Sequence, residues 1–150
     1  SERSAKSLGG QMMEITQVDW TDIEQVRAFF RNDVFATESG AVIEQVSPGE
    51  ALCSLIIQPR HKNAAGILQG GVTFTLADFA FAVAANATHP LTVSLSNQIN
   101  FLKPPKGSRL LARASRLSSG KNTCCYQVTV TDELGTSIAH MTVNGFIRST

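Results

Sequence analysis

One carboxylate, Asp78, stands in a long apolar stretch of the sequence that begins with a glycine-rich segment. Gly66, Gly70 and Gly71 predict a sharply bent loop that closes directly onto the start of a helix. The first backbone N–H groups of a helix have no helical partner and lie at the positive end of its dipole, so they suit a developing oxyanion. Thr75 and Gly71 precede Asp78 by three and seven residues and share its helical face. An acid aligned with a donor-rich helix start is half of an acyl-transfer site.

Asp78 also has a structural alternative. A buried, unpaired carboxylate costs several kcal/mol, so the residue is neutralised, paired or functional. Neighbouring backbone groups or Asn63 could satisfy it, while Asn63 could itself be a loop residue that tolerates left-handed geometry. Gly70 and Gly71 could serve turn geometry, which is compatible with a catalytic role. His61 is expected to be a surface loop residue rather than a catalytic base.

Hydrophobic periodicity predicts the elements that position these residues. Residues 71–86 predict a helix about 24 Å long, apolar nearly all round and therefore buried on most sides. An amphipathic helix over 21–33 precedes it, with Thr21 and Glu24 as a capping box. The predicted strands are 41–46 and 51–59 before the long helix, and 92–102, 109–117, 125–131 and a last strand through Ala139, Met141 and Val143 after it.

This element order predicts an α+β fold in which a curled antiparallel sheet wraps around one long central helix. The strand over 92–102 alternates, which predicts two faces: Val93, Leu95, Ile99 and Phe101 on one, and Ser94, Ser96, Gln98 and Asn100 on the other. The exposed sheet edges favour dimerisation.

Composition limits the function classes. At 150 residues, with 43% hydrophobic and 17% charged residues, the chain predicts one globular domain, 13–150, after a disordered leader or expression scar, 1–12. A net charge of +1 gives no electrostatic reason to expect nucleic acid or an anionic membrane surface as a partner. Three cysteines, two of them adjacent, predict reduced thiols and a cytoplasmic protein. No metal site is expected, since the three histidines lie far apart.

The motif around Asp78 resembles that of the hotdog-fold thioesterases, in their phenylacetic-acid-degradation (PaaI-like) branch. That branch carries N-x-x-G-x-x-H-G-G, then a helix with L-x-D, then a strand that ends in F-L-x-P. The matching segments here are Asn63-Ala64-Ala65-Gly66, Gln69-Gly70-Gly71, Leu76-Ala77-Asp78 and Phe101-Leu102-Lys103-Pro104. The likeness covers roughly residues 20–148 in element order and is most specific in the helix region.

The resemblance implies hydrolysis of an acyl-CoA thioester to free acid and CoA, without a cofactor. Asp78 matches the catalytic carboxylate, a general base toward water or a nucleophile. Gly70 matches the residue whose backbone N–H polarises the thioester carbonyl. Asn63 matches a side chain that holds the water or the substrate, usually across a dimer interface. Ser94 matches a water-positioning residue, with Ser96 as its alternative.

Further substrate contacts are expected from Gly71 and Thr75 at the helix start. Basic groups should meet the CoA phosphates, and the candidates are the loops at Lys103 and Lys106 and at Gly120 and Lys121. The resemblance also implies an obligate homodimer, or a homotetramer built as a dimer of dimers. Aryl, short-chain and medium-chain acyl groups are all compatible with the sequence.

Gln69 stands where the family has a histidine. Its amide can donate a hydrogen bond to a carbonyl, but it does not titrate near neutral pH. The alternative function is therefore a catalytically weak hotdog protein that binds acyl-CoA as a sensor or scaffold. A hotdog hydratase or dehydratase typically needs a histidine beside the acid, and the sequence has none within or just before this helix.

Overall fold

The computed structural model describes residues 13–89 and 91–148. The predicted leader, 1–12, lies outside the described residues, and a domain spanning 13–150 stays a prediction. The helices are α1 (Ile23–Phe30), α2 (Val34–Ser39) and α3 (Gly70–Asn86), with 3₁₀ turns at Ile15–Gln17 and Pro59–His61. The strands are β1 (Val42–Ser47), β2 (Glu50–Ile56), β3 (Thr92–Phe101), β4 (Arg109–Ser119), β5 (Thr123–Asp132) and β6 (Ser137–Ile147).

The six strands form one antiparallel sheet in the order β1-β2-β4-β5-β6-β3. The sheet packs on α3, which contacts β2 and β4 most extensively. This architecture confirms the predicted α+β fold, a curled sheet around one long helix. Because α3 is apolar on nearly every side, it is stable only when covered by other elements.

The core forms between α3 and the inner face of the sheet. Phe81 of α3 packs edge-on against Tyr126 of β5, with ring centroids 5.3 Å apart. On another side of the helix, Phe79 contacts Phe30 of α1 at 5.6 Å. The buried hydrophobic residues of α3 are Leu76, Ala77, Phe79, Ala80, Phe81, Val83, Ala84 and Ala85. Every one of these side chains is covered, which leaves Asp78 as a half-buried carboxylate among apolar neighbours.

The segment before β1 differs from its prediction. α1 begins at Ile23, and its N-cap is Asp22, whose carboxylate accepts the N–H of Glu24. The predicted capping box at Thr21 is therefore wrong. The Thr21 hydroxyl instead donates to Asp19. A second short helix, α2, follows and was absent from the prediction.

A bulge in β3 changes which serine faces the helix. The alternating pattern predicts that Ser94 and Ser96 share one face, but the register shifts between them. Ser94 pairs with Gly145, and a Cβ on Gly145 would lie only 3.0 Å from the ring of Phe81 in α3. Ser96 pairs with Asn144, which is exposed. Since opposed residues of antiparallel strands share a face, Ser94 faces the helix side and Ser96 the outer side.

β3 is an edge strand with apolar side chains in solvent. Val93, Leu95, Phe101 and Leu102 are 46%, 64%, 55% and 54% exposed. Val93 pairs with Phe146 on the outer face, so the apolar face predicted for this strand is wrong in its N-terminal half. An unpaired strand edge flanked by exposed apolar groups is suited to pairing with another chain.

The three cysteines are free thiols, as predicted. Cys53 and Cys124 are buried, where they act as small core residues, and Cys125 is half-buried. In residues 13–89 and 91–148, no helix combines the length and the apolarity needed to cross a membrane.

Candidate active site

Asp78 lies at the middle of α3, half-buried between the buried residues Ala77 and Phe79. Burial raises the pKa of its carboxyl, and the negative charge of Asp33 raises it further. No hydrogen bond from the described residues stabilises the charged form of this acid. A desolvated carboxylate with a raised pKa is a stronger base than a solvated one, so the environment suits proton abstraction.

Asp33 is a charged neighbour of Asp78 that the sequence did not reveal. Its side chain caps α2 by accepting the N–H of Ala36 at 3.2 Å. The capping pattern, an acid three residues before the bonded N–H, could have been found in the sequence. The proximity of Asp33 to Asp78 could not, because it follows from the packing of α2 on α3.

The helix start carries free donors. Gln69 is the N-cap of α3, and its own N–H donates to the carbonyl of His61 at 2.8 Å. The backbone N–H groups of Gly70 and Gly71 have no acceptor among the described residues. Two adjacent free N–H groups at the positive end of a helix are donors of the kind that bind anions.

Close contacts explain both glycines of this start. A Cβ on Gly70 would lie 3.2 Å from the ring of Phe101. Phe101 therefore packs over the start of α3 at residues 69–71, which we call the helix mouth. A Cβ on Gly71 would lie 2.6 Å from Oε1 of Gln69. The Gln69 amide thus lies at the helix mouth, beside the free N–H groups. Thr75, one turn further along, donates its hydroxyl hydrogen to the carbonyl of Gly71 at 2.8 Å.

Asn63 organises the loop before the helix. Its side-chain oxygen accepts the N–H groups of Ala65 at 2.9 Å and Ile67 at 3.1 Å. Its carbonyl accepts from Gly66, whose φ of 78° requires glycine. The structure does not bring Asn63 into hydrogen-bond contact with Asp78 in one chain, so the alternative in which Asn63 satisfies this acid finds no support. The amide NH₂ of Asn63 has no hydrogen-bond acceptor among the described residues.

The predicted phosphate-binding residues fall at two separate places. Lys103 and Lys106 lie in the loop before β4, at the end of the sheet that holds the helix mouth. Gly120 and Lys121 form the turn after β4. The eleven residues of β4 separate the two loops by about 33 Å, at the usual rise per residue. One chain therefore does not bring all four residues to one phosphate group.

An ionised acid holds the Lys103–Lys106 loop. The Asp132 carboxylate accepts the N–H groups of Lys106 at 2.8 Å and Gly107 at 2.9 Å. Burial tends to raise the pKa of Asp132, but these and further backbone donors outweigh it and hold the pKa well below its usual range. The loop borders a cavity of about 310 Å³ shared with residues 57–68. The cavity adjoins Leu68, the residue before the N-cap of α3.

His61 is buried, with 4% of its surface exposed, so its predicted place on the surface is wrong. Its Nε2 lies 2.7 Å from the carbonyl oxygen of Ser39, and its Nδ1 accepts the N–H of Gln58 at 2.9 Å. Both ring nitrogens are therefore engaged by backbone groups. The ring has no free nitrogen for proton transfer, which agrees with the expectation that His61 is not a catalytic base.

Proteins of known family resemble this chain in sequence. The thioesterase superfamily matches residues 65–139. A putative esterase of Archaeoglobus fulgidus is 30% identical over 119 residues, which are 78% of this chain and 77% of that protein. The acyl-coenzyme A thioesterase PaaI of Escherichia coli is 29% identical over 117 residues, which are 77% of this chain and 84% of the relative.

Solved structures resemble this chain as well. The E. coli PaaI protein from the phenylacetic acid degradation operon superposes with a TM-score of 0.79 at 26% identity, covering 87% of this chain and 93% of its own. A Streptococcus mutans protein solved with bound acetyl-CoA gives a TM-score of 0.70 at 26% identity, covering 74% of this chain and 90% of its own. The structural likeness extends over most of the length of each of these two proteins.

Proposed function

The chain belongs to the thioesterase superfamily and has the hotdog fold of the PaaI-like branch, and on this premise we propose that it hydrolyses an acyl-CoA thioester to the free acid and CoA. The observation that carries the proposal is the environment of Asp78. It is a half-buried acid with a raised pKa on the same helix whose start offers the free N–H of Gly70. The acyl-CoA substrate is supported by the names of the relatives and by the acetyl-CoA in the S. mutans structure.

In the proposed mechanism, Asp78 acts as the general base. Its carboxylate takes a proton from water as the water oxygen attacks the thioester carbon. The negative charge that develops on the carbonyl oxygen is accepted by the N–H of Gly70, with the Gln69 amide beside it. The carbon–sulfur bond then breaks, and CoA leaves as the thiolate, which regains a proton. In the nucleophilic alternative, the Asp78 carboxylate attacks the thioester carbon and expels CoA as the thiolate, and water then cleaves the resulting mixed anhydride to the free acid and the Asp78 carboxylate.

Base and nucleophile can be separated by isotope labelling. Repeated turnover in ¹⁸O-water would place label in the Asp78 carboxylate only if an anhydride forms and water attacks its Asp78 carbonyl carbon. Water attack at the substrate's acyl carbon would label the released acid, as general-base catalysis does. Mass spectrometry of the peptide that contains Asp78, after single and multiple turnovers, therefore detects the covalent route if water attacks the Asp78 carbonyl carbon. Trapping the anhydride in the first turnover detects the covalent route whichever of the two carbons water attacks.

The distance along α3 supports a site shared between two subunits. Asp78 lies eight positions after Gly70, which is about 12 Å along the helix axis. One thioester carbonyl group does not reach both within a single chain, because catalytic contacts are about 3 Å long. A two-fold partner reverses the direction of the helix, so Gly70 of the partner subunit can lie beside Asp78. We therefore propose an obligate homodimer, with Asn63 acting on the partner's substrate.

The exposed edge of β3 is the proposed dimer contact. It presents unpaired backbone groups and the exposed apolar side chains of Val93 and Leu95. Ser94, on the helix side of this strand, is the proposed water-positioning residue, in preference to Ser96. Pairing of two such dimers would give the homotetramer. The free thiols support a reducing compartment such as the cytoplasm.

Substrate contacts are proposed at the helix mouth and the adjoining cavity. Gly71 and Thr75 line the approach to the carbonyl, while Lys103 and Lys106 meet the phosphates of the CoA bound nearby. Gly120 and Lys121 lie at the far end of β4, so they would contact substrate only at a site completed by another subunit.

A substrate panel tests the function. Free-thiol release is measured with aryl, short-chain and medium-chain acyl-CoA thioesters, beginning with phenylacetyl-CoA because one relative comes from a phenylacetic acid degradation operon. The proposal predicts turnover of at least one class. Hydration of an enoyl-CoA without thiol release would identify a hydratase instead.

Gln69 motivates the second candidate, a protein that binds acyl-CoA without turnover. Calorimetry with CoA measures binding independently of hydrolysis. Tight binding with no thiol release from any thioester would favour the binding protein. Gln69→His would then restore turnover if the missing imidazole is the cause.

A further inference from the structure

His61 lies at the base of the loop that carries Asn63, Gln69 and the helix start. It is the last residue of the 3₁₀ turn Pro59–His61 and is buried beneath the loop. A buried polar ring at this place is stable only if its nitrogens are paired, because an unpaired polar group in the interior loses its hydrogen bonds to water without replacement.

The partners of the ring assign its tautomer. The group near Nε2 is the carbonyl of Ser39, which only accepts, so Nε2 carries the hydrogen. The group near Nδ1 is the N–H of Gln58, which only donates, so Nδ1 is bare. The neutral ring thus joins the C-terminal end of α2 to the start of the 3₁₀ turn. Its donor and its acceptor are both used.

The main chain of His61 continues this connection to the helix start. Its carbonyl accepts the N–H of Gln69 at 2.8 Å. A β-bridge between Lys62 and Leu68 closes the loop directly above this bond. Gln69 is the N-cap of α3, and Gly70 follows it. An unbroken series of bonds therefore runs from Ser39 through His61 to the residue before Gly70.

From this series we propose that His61 is a positioning residue, which fixes the Gly70 N–H of the proposed thioesterase site by tying the helix start to α2. The inference rests on the proposed function for its effect on rate. A displacement of about 1 Å at a reacting group can cost roughly a hundredfold in rate. Among the described residues, no other hydrogen bond of a side chain joins α2 to the start of this loop.

Because both ring nitrogens of His61 are already hydrogen-bonded, the ring can position the helix start but cannot transfer a proton. Loss of the ring should misplace the oxyanion donor while leaving the bulk of the substrate contacts intact. The expected signature is a fall in kcat with little change in KM. A residue needed only for folding would change the melting temperature and the fraction of active protein, without changing kcat per folded molecule.

Three variants separate the two ring contacts. His61→Ala removes both bonds, and kcat should fall about tenfold to a hundredfold, with KM within about threefold of wild type. His61→Asn keeps an acceptor for the Gln58 N–H, and His61→Gln keeps a donor that reaches toward Ser39. Each should recover part of the rate lost in His61→Ala. The control is His140→Gln, since His140 contacts Gln127 on the outer face of the sheet.

A second measurement does not depend on turnover. Hydrogen exchange of the Gln69 amide, which is bonded to the His61 carbonyl, should become at least tenfold faster in His61→Ala and stay unchanged in His140→Gln. Exchange in the core of β5 should be alike in all variants, which shows that the fold is intact.

The outcomes distinguish this inference from the proposed function. Wild-type kcat per folded molecule in His61→Ala, or Gln69 exchange equal to wild type, would overturn the positioning role even if thioesterase activity is confirmed. If no acyl-CoA is hydrolysed at all, the proposed function fails. Faster Gln69 exchange would then still establish that His61 fixes the helix start.

Discussion

The carboxylate of Asp33, which caps α2, acts electrostatically on Asp78 in the middle of α3. Burial is the larger cause of the raised pKa of Asp78, and the like charge of Asp33 adds to it. Two acids from different helices thus define the electrostatics of the candidate site. A like charge near a half-buried carboxyl disfavours its ionisation, so the protonated form of Asp78 persists to a higher pH.

The pH dependence of the rate follows from this relationship. A general base works only when ionised, so kcat/KM should rise with pH through the raised pKa of Asp78, above the 3.8 that is usual for aspartate. Asp33→Asn removes the repelling charge and should move this acid limb to lower pH. Rate profiles of both proteins between pH 4 and 8 measure the direction of this shift. An unchanged limb would mean that Asp33 does not act on the base.

Stability should change in the opposite direction to activity in Asp78→Asn. Because the folded state holds the Asp78 proton more tightly than the unfolded chain, stability decreases as pH rises through this range. Asparagine removes the buried charge, so the variant should be more stable at neutral pH, by about 0.5–2 kcal/mol, as for other stabilising substitutions at strained sites. Chemical unfolding at pH 7 and at pH 4 tests this. The gain should shrink at pH 4, and a loss of stability at pH 7 would contradict it.

The role of the Gly70 N–H can be tested by proline. Gly70 is the first residue of α3, where proline is favoured, and Gln69 has the extended backbone that precedes proline readily. Gly70→Pro removes the donor, and kcat should fall about 10²–10³-fold. Gly70→Ala is the matched control, since it makes a similar contact with Phe101 but keeps the N–H. Equal losses in both variants would assign the effect to crowding.

Mixed dimers test whether the site is shared. Asp78→Asn and Gly70→Pro subunits, each inactive alone, are combined by unfolding and refolding. If Asp78 acts with Gly70 of the partner subunit, each mixed dimer has one intact site. Random pairing then restores about one quarter of the wild-type activity in a two-fold dimer. Absence of recovery in confirmed mixed dimers would place both groups of a site in one chain.

The site residues on α3 could be predicted because they follow one another in sequence. Helical spacing alone aligns Gly71, Thr75 and Asp78, and the glycines mark the helix start. The strand elements could also be predicted, since alternation and turn residues are local signals. The long helix could be predicted from its alanines and phenylalanines and from its lack of helix-breaking residues.

Three features required tertiary structure. The burial of His61 depends on Ser39, which meets its ring only when α2 packs beside the loop. The charge of Asp33 reaches Asp78 by the same packing. The bulge in β3 is set by pairing with β6, and the serine pattern of the strand does not encode it, so Ser94 and Ser96 could not be separated in advance. In each case a long-range contact overrides a local pattern.

The central claim is that Asp78 is the catalytic carboxylate of an acyl-CoA thioesterase. Its most direct test is free-thiol release from the best acyl-CoA of the panel by wild type and Asp78→Asn, side by side, with both proteins shown to be folded and equally oligomeric. The account predicts turnover by wild type and a loss of a hundredfold or more in the variant, on the scale expected for a general base. Turnover by Asp78→Asn within tenfold of wild type would contradict it.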